Sequence, residues 1–172
     1  LGSKRTRDHR MRLDFSALVL ECLVLARTRH HLQPQALHYS VASANGHQPS
    51  VVGDPEELRT AVTNVLDNAI KFSGPDINVE VEVLTPDDDH VEVRVTDRGI
   101  GIPRSELRQI FKRFYRVRAR NVAHQVKGTG LGLFLVRSIA RKHGGEAYAE
   151  SEGEGRGATI TIKLPTAGTG AA

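Results

Sequence analysis

Apolar and polar positions follow two distinct periods along this chain, and each change of period marks a new element. Leu18, Val19, Cys22, Leu23, Leu25 and Ala26 form a broad apolar face, predicting a helix to about Arg29 with Asp14 or Ser16 as N-cap. Cys22 lies on that face and reads as a core residue. Residues 36–43 (ALHYSVAS) read as a strand, Asn45-Gly46 as a turn, and Val51-Val52 as a short strand. Asp54-Pro55 is a helix entry, a capping side chain followed by proline at the first helical position. Leu58, Val62, Val65, Leu66, Ala69 and Ile70 then repeat at helical spacing until Ser73-Gly74-Pro75. The period next drops to two. Val79, Val81 and Val83, then Val91, Val93 and Val95, predict antiparallel strands at about 76–84 and 90–97 with one buried face.

The second of these strands runs into DRGIGIP (97–103), a glycine loop, and then into a basic helix or pair of turns over 104–116. Residues 117–127 have no clear period. GTGLGL (128–133) opens an apolar helix through Leu133, Leu135, Val136, Ile139 and Ala140, which Gly144-Gly145 ends after Lys142 and His143. A hairpin pairing about 146–151 with 158–164 closes the pattern. Strands joined by tight turns, with helices between only some of them, predict an α+β fold. It is a two-layer α/β sandwich, a mixed and mainly antiparallel sheet with helices on one face. A doubly wound parallel sheet would need a helix between most strands. The expected organisation is a linker remnant or tag at 1–12, one domain at 13–166, and a flexible tail at 167–172.

Composition narrows the function classes. The 172 residues, 39% hydrophobic and 26% charged, are those of an ordinary globular domain, and the single cysteine excludes an internal disulfide or a thiolate metal cluster. The net charge of +4 raises the question of nucleic acid. Seven Arg and Lys lie between Arg104 and Arg120 against one acid, Glu106. The interleaved aromatics and docking motif of a nucleic-acid site are lacking, and the cluster lies between two glycine boxes, which favours a small phosphate ligand.

The helix from Pro55 carries a second stripe opposite its apolar face. With Asn64 at zero, Asn68 falls at about 40° and Lys71 at about −20°. A solvated face would give such residues too, but two asparagines a turn apart are poor helix formers. Amide oxygens suit Mg²⁺, and a lysine suits phosphate. Asp97 ends a strand beside Gly99 and Gly101, where its carboxylate could accept from an exocyclic amine; a plain turn would look the same. Glycines opening a helix at 128–132 offer free amides and a positive dipole end to an anion. Neither a GxxxxGK[ST] loop nor a strand-led dinucleotide fingerprint is present.

In order and spacing, NVLDNAIKFS (64–73), DRGIGIP (97–103), IFKRFYR (110–116) and GTGLGLFLVRSIARKHGG (128–145) resemble the four boxes of the bacterial sensor histidine kinase ATP-binding domain. That domain belongs to the GHKL superfamily with its Bergerat fold. The resemblance runs from about Leu13 to Leu164. It implies ATP and Mg²⁺ as cofactors. Asn68 matches the Mg²⁺ ligand, Asn64 the asparagine beside the phosphates, Lys71 the lysine that reaches them, and Phe72 the aromatic beside the nucleotide. Asn64 and Lys71 are the implied catalytic pair. Asp97 matches the adenine-recognising aspartate, with Gly99, Gly101 and Ile102 in the pocket wall. Phe111, Arg113 and Phe114 match the start of the ATP lid. Gly128, Gly130 and Gly132, with Thr129 and Leu131, match its glycine hinge, and Arg116, Arg118 and Lys127 are candidate lid cations.

The ATP-hydrolysing relatives carry an acid where this chain aligns Asn64, and an amide cannot serve as general base. That favours γ-phosphoryl transfer to another protein's nucleophile over hydrolysis, and the resemblance implies that the acceptor is a histidine. No histidine here has the acceptor context: His9 is followed by Arg10, and all eight read as surface or helix-end residues. The implied partners are the dimerisation and histidine-phosphotransfer domain of the same kinase and a downstream response regulator, with no nucleic acid and no direct membrane contact. The implied location is a cytoplasmic domain of a membrane-anchored parent. A GHKL conformational ATPase or a serine-kinase relative remains the alternative.

Overall fold

In a computed structural model, which describes residues 9–44, 46–115 and 130–168, three helices cover one face of a five-stranded sheet. The strands are β1 (Met11–Asp14), β2 (Leu37–Ser43), β3 (Ser50–Gly53), β4 (Val79–Thr85), β5 (His90–Asp97), β6 (Glu146–Glu150) and β7 (Ala158–Pro165). The helices are α1 (Phe15–Arg29), α2 (Pro55–Phe72) and α3 (Gly132–Lys142). The main sheet has the order β2-β4-β5-β7-β6, and only the β2–β4 pair is parallel. This is the mixed, mainly antiparallel two-layer sandwich that the pattern predicts.

The valine alternation sets the register. Val81 pairs with Val95, and Val93 with Ile162, so Val79, Val81, Val83, Val91, Val93, Val95, Ile160 and Ile162 all point under the helices. Each such side chain contributes about 1.5–3 kcal/mol on burial. A one-residue slip would turn the whole row outward, so the register is strongly specified.

The helix starts follow their caps. Asp14 Oδ1 accepts from the Ser16 and Ala17 amides at 2.9 and 3.3 Å. Asp54 Oδ1 accepts from the Glu56 and Glu57 amides at 3.0 and 3.4 Å. The predicted stripe of α2 buries Leu58, Ala61, Val62, Val65, Leu66, Ala69 and Ile70 against the sheet and the neighbouring helices. The Glu57–Lys142 ion pair ties α2 to α3, and Arg29 and His30 both reach Asp67, tying α1 to α2.

Several expectations change. Met11 and Arg12, placed with the linker, form the start of β1, which pairs antiparallel with β3 as a separate two-stranded sheet. The Ala167 amide, beyond the expected domain end, donates to the Ser50 carbonyl, and Arg12 donates to the Gly168 carbonyl. Leu25, assigned to the core face of α1, is 55% exposed, because the buried stripe runs through Phe15, Leu18, Val19, Cys22, Leu23 and Ala26. Of the helix or pair of turns expected after the glycine loop, the structure has the turns, Arg104–Glu106 and Gln109–Phe111. His143 is the helix-end residue expected, at the C-cap of α3, but it is buried and bonded through both ring nitrogens. Cys22 is in the core, where burial raises its thiol pKa and keeps it uncharged.

Candidate functional site

Three elements meet along the polar stripe of α2. Opposite its middle stands the start of α3: Asn64 Nδ2 donates to the Gly132 carbonyl at 3.4 Å. At its end stands the loop after β5, where the Ile100 amide donates to the Phe72 carbonyl at 3.2 Å. That approach is possible because residue 99 is glycine. A Cβ there would overlap the Phe72 carbonyl oxygen. Sequence reasoning gave Gly99 to a ligand wall; the structure shows that it admits the backbone of α2.

Asp97 closes β5 with only 5% of its surface exposed. Its Oδ1 accepts from the Gly99 amide at 2.9 Å. Burial raises its pKa, and the Gly99 and Ala158 amides work against that rise. No cationic side chain pairs with Asp97 among the described residues. A buried carboxylate in this state keeps an acceptor for an uncharged donor such as an amine. Ile102 is buried, and its amide donates to Ser151 Oγ at 3.0 Å. The β6–β7 turn therefore backs this loop, a contact that sequence reasoning missed because a hairpin turn carries no signal of what it packs against.

Asn68 lies one turn after Asn64, half-buried, and its side chain makes no hydrogen bond among the described residues. Lys71 is exposed, with Nζ 5.6 Å from the centre of the Phe72 ring. Across the site, the N-cap residue of α3 is Leu131, and no described side chain caps the helix. A helix start of this kind offers its first amides to an anion. Among the described residues no group of three His, Cys, Asp or Glu could hold a metal by itself. An Mg²⁺ carried in by phosphates needs only one or two protein oxygens. The unengaged Asn68 carboxamide fits that need.

The third box joins the site at Gly130. The Phe114 amide donates to the Gly130 carbonyl at 3.0 Å, and both residues have positive φ, 63° and 71°. A Cβ on Gly130 would lie 2.7 Å from Phe114 Cα. Arg113 stacks its guanidinium on the rings of Phe114 and Phe134, at 5.7 and 5.2 Å, and Phe111 is buried. Tyr115 donates to Glu106, fixing this stretch to the preceding turn. Arg116, Arg118, Lys127, Gly128 and Thr129 lie outside the described residues.

Residues 53–168 match the family of histidine kinase-, DNA gyrase B- and HSP90-like ATPases, and the chain belongs to that family as a histidine-kinase-type ATP-binding catalytic domain. Among curated relatives, it is 42% identical over 118 residues to the signal transduction histidine-protein kinase/phosphatase MprB of Mycolicibacterium smegmatis. That match covers 67% of this chain and 23% of MprB. It is 36% identical over 115 residues to the sensor histidine kinase WalK of Bacillus subtilis, covering 65% of this chain and 18% of WalK. The chain thus spans less than a quarter of the length of these relatives. Among solved structures, a mycobacterial sensor histidine kinase MprB superposes with a TM-score of 0.74 at 32% identity, covering 91% of this chain and 97% of that one. The catalytic domain of the histidine kinase ThkA superposes at 0.70 with 23% identity, covering 91% and 97%, a likeness of fold.

Proposed function

We propose that this domain binds Mg²⁺-ATP along the polar stripe of α2 and donates the γ-phosphoryl group to a histidine on a separate dimerisation and phosphotransfer domain of the same kinase. The observation that carries this reading is the buried Asp97 at the end of β5, which pairs with no cationic side chain among the described residues. It is a poor place for a carboxylate unless a ligand's amine uses it. The Gly99 amide donates to Oδ1 and the Ala158 amide also supports the carboxylate, whose remaining lone pairs can accept from the purine amine.

Along the stripe, Asn64 and Lys71 act on the phosphates, Lys71 as a mobile point charge and Asn64 as a fixed donor beside the α3 amides. The Asn68 oxygen would hold Mg²⁺, which when bound supplies charge neutralisation between phosphate oxygens. Gly99, Gly101 and Ile102 form the purine wall, and Phe72, Arg113, Phe114, Gly130, Leu131 and Gly132 line the approach to the phosphates. Phosphoryl transfer asks mainly for positioning and charge stabilisation, which these residues provide without a general base. Asn64 has no proton affinity for activating water, which supports transfer over hydrolysis.

A downstream response regulator would receive the phosphoryl group from that histidine. No described helix is long and apolar enough to cross a membrane. We place the domain on the cytoplasmic side of a membrane-anchored parent, with neither membrane nor nucleic acid touching it. The test is transfer from labelled ATP to a separately supplied dimerisation domain. Labelled histidine supports the reading. Steady phosphate release without label on protein supports the conformational ATPase instead, and phosphoserine supports the serine-kinase relative.

A further inference from the structure

The β6–β7 turn, which looks like a plain connection in the sequence, is laid as a second layer of backbone on the 97–102 loop. The Gly157 amide donates to the Gly99 carbonyl at 3.2 Å, and the Gly155 amide to the Ile100 carbonyl at 2.7 Å. A Cβ on Gly157 would overlap the Asp97 carbonyl oxygen, so the layers touch with no side chain between them.

One hydroxyl fastens the far end of this contact. Ser151 Oγ accepts from the Ile102 amide at 3.0 Å and from the Gly153 amide at 3.2 Å, and donates to the Gly157 carbonyl at 2.6 Å. A serine hydroxyl has one proton and two lone pairs, so all of its capacity is used. Ile102 is only 7% exposed, which leaves little access for water to replace a lost acceptor.

We propose that Ser151 is a positioning residue for the purine end of the nucleotide site. It holds Ile102 directly and holds Gly157, whose amide in turn donates to the Gly99 carbonyl, and so fastens the segment after Asp97 at two points. Ser151 touches no ligand. Without its hydroxyl, the Ile102 amide and the Gly157 carbonyl lose partners, and the loop spends part of its time away from the binding geometry. Apparent affinity falls by the fraction of time lost. This inference rests on the reading of the site as a nucleotide pocket.

The test compares the wild-type protein, Ser151→Ala and Ser151→Thr. Their readouts are the dissociation constant for Mg²⁺-ADP and the hydrogen-exchange rate of the Ile102 amide. Ser151→Ala is expected to weaken ADP binding about threefold to tenfold and to speed exchange at Ile102. Exchange at Val62, in the centre of α2, should not change, and Ser151→Thr should restore both readouts. If the alanine variant does not fold, Ser151→Cys, of similar size and with weaker hydrogen bonds, replaces it. Unchanged ADP affinity, or weaker affinity with an unchanged Ile102 amide, overturns the role of Ser151 while the nucleotide reading stands. A wild-type protein that binds no ADP removes that reading, and the inference with it.

Discussion

His143 Nε2 accepts from the Asp54 amide at 3.1 Å, while His143 Nδ1 donates to the Ile139 carbonyl at 2.7 Å. The ring is therefore neutral with its proton on Nδ1, and it joins the C-terminal end of α3 to the N-cap of α2. The other end of α3 meets α2 at Asn64 and Gly132. His143 and Asn64 thus fix the two helices at opposite ends, and the candidate site lies at the Asn64 end. His143→Ala should cost about 2 kcal/mol, because two polar groups lose their partners. In a thermal melt that is a drop of roughly 4–8 °C in Tm, and an unchanged Tm would remove the joint from the account.

Asp97 makes stability depend on pH in a definite direction. Burial raises its pKa in the folded protein above the ordinary 3.8, so the native state holds this proton more tightly than the unfolded chain. Its contribution is favourable in acid and is lost as pH rises through the folded pKa. Asp97→Asn, which carries no charge, should be more stable than the wild type at pH 7 without nucleotide, and the gap should close as pH falls towards 3.8. Melts of both proteins across that range check this; a gap that widens in acid contradicts it.

Asn68 can be tested through the metal alone. Asn68→Ala removes a carboxamide that no described residue engages and leaves the core face of α2 untouched. ADP affinity in excess Mg²⁺ should fall roughly tenfold, while affinity in EDTA stays near that of the wild type. Equal Mg²⁺ enhancement in both proteins would take the metal away from this residue.

Gly99→Ala probes the approach of the β5 loop to α2. The added methyl would overlap the Phe72 carbonyl, so either the loop or the end of α2 must move. Overpacking of this kind costs about 1–3 kcal/mol, and nucleotide binding should be lost along with the Ile100–Phe72 hydrogen bond. Retained affinity would mean that this contact does not set the site.

The parts of this fold legible in the sequence are those fixed by local rules. The α2 stripe follows from helical spacing and the Asp54-Pro55 entry, and the β4–β5 pair from strict valine alternation. The polar stripe and glycine boxes are legible because asparagines within a helix and clustered glycines break the same patterns. What escaped depends on distant pairing. MRLD has no alternation long enough to mark β1, and it becomes a strand only because β3 lies beside it. Leu25 looks like core because α1 is apolar on most sides, and only packing decides which side is covered. His143 and Ser151 are ordinary polar residues near glycines, and their partners lie 89 and 49 positions away.

Calorimetric titration of the domain with Mg²⁺-ADP, run in parallel on Asp97→Ala, bears most directly on the nucleotide site. The wild-type protein should bind one equivalent, and removal of the buried carboxylate should weaken binding at least about tenfold. No binding by the wild-type protein, or equal binding by both, would contradict the assignment of Asp97 to the purine and of this face to ATP.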